Sequence, residues 1–355
     1  MHRSAVFSES NVQLPSLMQG ALILNFVTLA VVAITLFLVW WSLRQIPANK
    51  WDEFIDTLKG AKYWLMVPVV LILSLSHIVR ALRWRILMEP MGYKPSILNT
   101  FFAVMIGYLA NLAIPRLGEV LKCTLLAKYE KVPAEKLVGT IVAERAVDVI
   151  SLAIVFIITL LTQTNLIASY GLELFRQLFE NKSGQFSMQK IGIAIGAVVL
   201  LLVFLKIWSR KYGHLPFVMS AKKIMSGIWE GVSSIRYLKQ KGLFIFYSVF
   251  IWALYIGGTW VGLSATVGTA GLGFNAALAA LAFGSIGMIV TPGGIGAYAY
   301  FIAKIVEKMG VPFEIGFANG TLQWFAQFII VLIVGSICLV VLPIYNKNKI
   351  SHESN

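Results

Sequence analysis

Residues 107–128 read GYLANLAIPRLGEVLKCTLLAK, and residues 284–304 read GSIGMIVTPGGIGAYAYFIAK. Each is an apolar run in which a glycine precedes a proline by the same spacing: Gly107 and Pro115 in the first, Gly284 and Pro292 in the second. The two pairs are offset by 177 positions (284 − 107 and 292 − 115), and each segment then runs to an Ala-Lys pair with one residue of slippage. Proline cannot continue a helix without losing a backbone hydrogen bond, and glycine lets another backbone or a ligand approach closely. The match therefore reads as an internal repeat of proline-broken helices. Gly118 follows the first break, and Gly293, Gly294 and Gly296 follow the second. The segments beyond the breaks are short for a span of roughly 20 residues and suit re-entrant helices. Paired broken segments in the two halves of a chain point to a transporter's binding site, and free helix N-termini there attract anions.

Composition sets the frame for these runs. The chain of 355 residues is 58% hydrophobic and 13% charged, with mean hydropathy +0.79. Soluble domains carry about 25% charged residues, so this is an integral membrane protein. The net charge of +14 fits basic loops facing anionic lipid head groups and does not call for nucleic acid. Cys123 and Cys338 stand alone, and the four histidines are scattered, so neither a disulfide framework nor a metal site is expected. No nucleotide-binding or nucleophile motif stands in a suitable context, and no cofactor is expected.

Runs long enough to cross a hydrocarbon core of about 30 Å lie at 21–41, 63–82, 137–161, 191–208, 242–263 and 321–342, with two less regular ones at 97–114 and 274–290. In lipid each must satisfy its own backbone, so all read as helices. The first looks like a retained helix rather than a cleaved signal. Basic loops at 80–95 and 206–241 are expected on the cytoplasmic side, with the N-terminus; the second includes an amphipathic connector, 209–241. The expected fold is one all-α polytopic membrane domain, 1–355, of about seven or eight spans. Half-repeats at 64–208 and 242–343 are arranged as an inverted repeat, with two re-entrant segments.

Two charged groups interrupt this frame. Arg116, Glu119 and Lys122 follow the first break, and Glu144, Arg145 and Asp148 lie inside the run at 137–161. A charge at the bilayer centre costs roughly 2.5–3.5 kcal/mol on translocon scales, so these side chains must be paired, near an interface or in a wet cavity. Spacings of three and four suggest a local cluster of Glu144, Arg145 and Asp148 on one helix. Two readings fit: a cluster that ties helices together, or a polar cavity whose arginines meet a phosphate through their planar forks. Upstream, Arg80, Arg83, Trp84 and Arg85 read as an interfacial anchor.

The strings IPRLGEVLKC, AERAVDVI and TPGGIGAY, in that order and with RALRW upstream, resemble the membrane domain of bacterial lysylphosphatidylglycerol synthases and its stand-alone, flippase-like relatives. The resemblance runs from the second helix to the last. In the full-length synthases a soluble domain transfers lysine from charged tRNA to phosphatidylglycerol, and the membrane domain moves the product between leaflets. Thirteen residues follow Leu342, so the transferase chemistry is not expected here. The resemblance carries the flippase-like role onto Arg116, Gly118, Glu119, Glu144, Arg145, Asp148, Pro292, Gly293, Gly294 and Gly296. Lys122 departs from it, standing where an arginine is common.

The expected function is to bind or translocate a phospholipid or lipid-linked head group between leaflets of the inner membrane. A membrane-embedded enzyme using Glu119 or Asp148 as base, and a non-transporting partner of a separate envelope-biosynthesis enzyme, are the alternatives. The expected partners are membrane lipids with anionic or lipid-linked head groups.

Overall fold

The computed structural model describes residues 37, 40–114, 116–163 and 237–353. The expected span at 191–208, nearly all of those at 21–41 and 209–241, and Pro115 lie outside the described residues. Those described form helices joined by short turns: α1 (Trp51–Lys59), α2 (Met66–Met88), α3 (Ile97–Ala113), α4 (Leu117–Glu130), α5 (Ala134–Thr162), α6 (Lys241–Leu263), α7 (Gly273–Val290), α8 (Ala297–Glu307) and α9 (Phe313–Glu353). Among the described residues four stretches are long and apolar enough to cross a membrane: Tyr63–Met91, Lys241–Leu263, Gly273–Val290 and Phe313–Lys347. The protein is thus an all-α membrane protein. The run at 137–161 also forms a long continuous helix, α5, whose apolar character is broken by Glu144, Arg145 and Asp148.

The surface of α2 shows which solvent shaped it. Val67, Leu71, Leu75 and Ile78 point outward, whereas Ser76 and Arg83 are buried. Spacings of four, four and three place the exposed set on one helical face. Apolar outside and polar inside is the reverse of a water-soluble helix, and it follows from lipid having no hydrogen bonds to offer.

The packing scheme repeats. Helix α3 folds back on α4, and α7 folds back on α8. The contacts α2–α3, α4–α5, α3–α9, α2–α9 and α2–α5 have counterparts in α6–α7, α8–α9, α7–α5, α6–α5 and α6–α9, while α2 and α6 pack on each other. Exchanging α2–α5 with α6–α9 therefore maps the arrangement onto itself. This is the physical content of the 177-residue offset.

Both hairpins turn where the sequence breaks. After α3 the chain extends at Ile114 (φ −137°, ψ 118°), and Arg116 then takes the left-handed region at φ 68°. After α7 the chain extends at Thr291, and Gly293, Gly294 and Gly296 take φ of 62°, 72° and 71°. Those values suit glycine because it has no Cβ to clash. The first break is capped from its own hairpin: the Gly118 N–H donates to Asn111 Oδ1 at 2.8 Å, satisfying one of the orphan donors at the start of α4. The second is held from α9, where Trp324 Nε1 donates to the Gly293 carbonyl at 2.8 Å. The two turns are neighbours, since a Cβ placed on Gly293 would lie 3.5 Å from the Leu112 side chain.

Short helix α1 had no counterpart among the sequence expectations because its few apolar residues make no long run. It lies along α9, with the Phe54 and Phe317 rings 5.9 Å apart.

Candidate functional site

The charged residues converge between α2, α4 and α5. On α5, buried positions Leu137, Thr140, Ile141, Glu144 and Val147 recur at helical spacing, so Glu144 must face the protein. Glu144 Oε2 accepts from Lys122 Nζ at 2.9 Å, and its Oε1 lies 3.5 Å from Arg83 Nη2 and 3.8 Å from Arg80 Nη1. Asp148, one turn on, completes a bridge to α2. Its Oδ1 lies 2.8 Å from Arg83 Nη2 and its Oδ2 3.0 Å from Arg80 Nη2. Arg80 also donates to the Tyr255 hydroxyl on α6 and the Tyr108 hydroxyl on α3, both at 2.8 Å. Lys122 Nζ sits 4.6 Å from the Trp84 ring centroid, a cation–π contact, and Trp84 Nε1 donates to Thr140 Oγ1 at 2.8 Å.

This geometry corrects two expectations. Arg80, Arg83 and Trp84 are not interfacial anchors. Arg83 and Trp84 are 0% exposed, because their face of α2 packs against α5 and its carboxylates supply the partners. Arg85 is part-exposed, and the Arg80 side chain retains 11% exposure. Nor is the cluster local to α5. A helix turns about 100° per residue, which directs Arg145 away from Glu144; Arg145 instead pairs with Glu119 of α4 at 3.0 Å, on a face where the two side chains are 45% and 35% exposed.

Of the six sequence-selected charges, Lys122, Glu144 and Asp148 are brought together with Arg80 and Arg83, Glu119 and Arg145 form a separate outer pair, and Arg116 is exposed at the first turn. Tyr108, Tyr255 and Thr140 were missed. Nothing in their local sequence marks them; each is a polar side chain in an apolar run whose partner comes from another helix.

The buried group holds three cations (Arg80, Arg83, Lys122) against two carboxylates (Glu144, Asp148) and so carries a surplus positive charge. Arg83 Nε and Nη1 are buried with no hydrogen-bond partner. Buried donors are normally satisfied, so these two nitrogens are an exception in the interior. Among the described residues no three His, Cys, Asp or Glu side chains converge as a metal cage would require.

Residues 27–335 match the family model described as Lysylphosphatidylglycerol synthase TM region. The chain belongs to this family. A curated relative, the UPF0104 membrane protein MJ1595 of Methanocaldococcus jannaschii, is 22% identical over 301 residues, which is 82% of this chain and 88% of the relative. No solved structure matches. Membership confirms the resemblance carried by the motif strings and makes the protein a multi-pass membrane protein of a lipid-related family.

Proposed function

We propose that the protein binds an anionic phospholipid or lipid-linked head group at the ionic cluster and carries it between the leaflets of the inner membrane. The observation that supports this best is the surplus cation in the buried cluster, where the Arg83 nitrogens Nε and Nη1 have no hydrogen-bond partner. Arginine's planar fork suits phosphate oxygens, and an anion there would balance the charge. In this reading the Glu119–Arg145 pair closes the outer side of the cluster, with Glu119 three residues before Lys122 and Arg145 directly after Glu144. Opening that exposed pair costs little and would admit a head group.

In this reading the whole chain is one membrane domain with half-repeats 64–208 and 242–343, joined by the connector 209–241. Helices α4 and α8, with 14 and 11 residues, are roughly 21 and 17 Å long at 1.5 Å per residue, short of a bilayer core of about 30 Å. Helices α4 and α8 are therefore the re-entrant segments. The turns before them meet at Leu112 and Gly293, and the longer apolar runs, α3 and α7 included, make about seven or eight spans, with the N-terminus cytoplasmic.

The test is lipid scrambling in proteoliposomes, read by dithionite quenching of fluorescent lipid. Wild type should move an anionic lipid faster than empty vesicles do, and Arg145→Ala and Glu119→Gln, checked for folding by size-exclusion chromatography, should not. Wild type that moves none of a panel of anionic, zwitterionic and cationic lipids overturns the reading.

A further inference from the structure

A cleft of about 270 Å³ opens between the end of α2 and the start of α6, away from the ionic cluster. Part of its wall is apolar: Leu82 and Ile86, one turn apart on α2, and Leu243 on α6. Its polar lining includes Arg85, Lys94 and Tyr247. Lys94 arrives there because α2 is followed by a short turn, Glu89–Met91, which ends on Gly92 in the left-handed region at φ 85°.

Three observations make this cleft receptive to an anion. Arg85 Nε is buried and has no hydrogen-bond partner. Glu89, the one carboxylate in the lining, is outnumbered by Arg85 and Lys94 and is held by Gln240, whose Nε2 donates to both carboxylate oxygens at 2.8 and 2.9 Å. That same bond draws the Gln240 side chain away from α6, whose N-cap it forms without a side-chain cap. The first turn of a 23-residue helix thus presents its N–H groups and positive dipole end beside Arg85 and Lys94.

We infer that this cleft is a second anion site, which takes a phosphate group: Arg85 and Lys94 hold its oxygens at the start of α6, and the Leu82–Ile86–Leu243 wall receives an attached apolar chain. Ligand pockets for whole small molecules run to about 300–1,000 Å³, so the cleft holds a head group and leaves acyl chains outside along the apolar wall. The site binds at equilibrium and does not depend on transport.

The experiment is a binding titration of the purified full chain in detergent, by native mass spectrometry, with three probes: dihexanoylphosphatidylglycerol, dihexanoylglycerol and inorganic phosphate. Arg85→Gln and Lys94→Gln should each weaken the phospholipid about tenfold, as expected for losing one charge-assisted contact, while Arg85→Lys retains most of the binding. Lys94 is exposed, so Lys94→Gln keeps the fold and carries the test if Arg85→Gln does not fold. Dihexanoylglycerol should not bind. Displacement of the phospholipid by an equal concentration of inorganic phosphate would identify free phosphate as the ligand, and failure to displace it would identify the lipid. Wild-type affinity in both Gln variants, or equal binding of dihexanoylglycerol, overturns the inference. Loss of binding in Arg145→Ala with none in Arg85→Gln would overturn this site while leaving the proposed function standing.

Discussion

Gly107 and Gly118 face each other across the first hairpin with no room for a side chain between them: a Cβ on Gly118 would fall on the Gly107 carbonyl. The second hairpin has the same construction at Gly287, where a Cβ would meet the backbone of Ala297 and Tyr298 at 2.7–2.8 Å. These contacts let two helices joined by a short break fold back on each other with their backbones touching, as small residues do in membrane packing.

Gly118→Ala should therefore destabilise the protein by about 1–3 kcal/mol or more, the range for overpacking, because the obstacle is backbone and cannot rotate away. Gly139→Ala is the control. It lies on α5 with open space around its Cβ position, and alanine there should be neutral or stabilise by up to about 1 kcal/mol. Thermal melting in detergent, followed by size-exclusion chromatography, compares them; equal melting temperatures for the two variants would refute the tight hairpin.

Stability and function should separate between the inner and outer ion pairs. Asp148→Asn removes a carboxylate that serves both Arg80 and Arg83 and should cost about 3–5 kcal/mol, as for breaking a buried pair. Arg145→Ala removes an exposed pair worth about 0–1 kcal/mol and should melt within a few degrees of wild type while losing scrambling. An Arg145→Ala protein that transports normally would move the path elsewhere.

Lys122 and Glu144 should be energetically coupled. Lys122→Met leaves Glu144 with Arg80 and Arg83 at longer distances and removes the cation over Trp84. Glu144→Gln leaves Lys122 buried with no carboxylate. The double variant should be less destabilised than the sum of the two by about 0.5–3 kcal/mol. Chemical denaturation of all four proteins measures this, and strict additivity would show that the 2.9 Å contact contributes nothing.

The docking of α1 on α9 should depend on pH at its extremes. Lys50 Nζ bridges Glu53 at 2.6 Å and Glu314 of α9 at 3.1 Å. The hydrogen bond between them holds Glu53 below its ordinary 4.5 and Lys50 above its ordinary 10.5. A depressed carboxylate stabilises the fold above 4.5 and loses that contribution as pH falls through its folded value. A raised lysine stabilises below 10.5 and loses its contribution as pH rises through its folded value. Hydrogen exchange of α1, corrected for intrinsic rates, should show equal protection at pH 6 and 9 and less at pH 3. Unchanged protection at pH 3 would remove the bridge from the account.

Several features were legible because they depend on neighbours in the chain. Hydrophobic length marked the apolar helices, and the Gly–Pro landmarks marked both breaks, since a proline or a positive φ acts on the backbone where it stands. The 177-residue offset found a packing scheme that maps onto itself. The site was half legible: Lys122, Glu144 and Asp148 stood out because a charge in an apolar run demands a partner, but the run does not say which helix provides it.

The sequence by itself determined the solvent, the helices, their breaks and the list of charges that must be compensated, because each follows from local backbone chemistry and from the cost of charge in lipid. Only the tertiary structure decided the pairing. It turned Arg80 and Arg83 inward onto the carboxylates of α5 and sent Asp148 to α2. It left Arg145 outside with Glu119 and brought Tyr108 and Tyr255 to one guanidinium. The physical reason is that an ion pair between helices is specified by which faces pack together, and that choice is made by the shapes of all the helices at once.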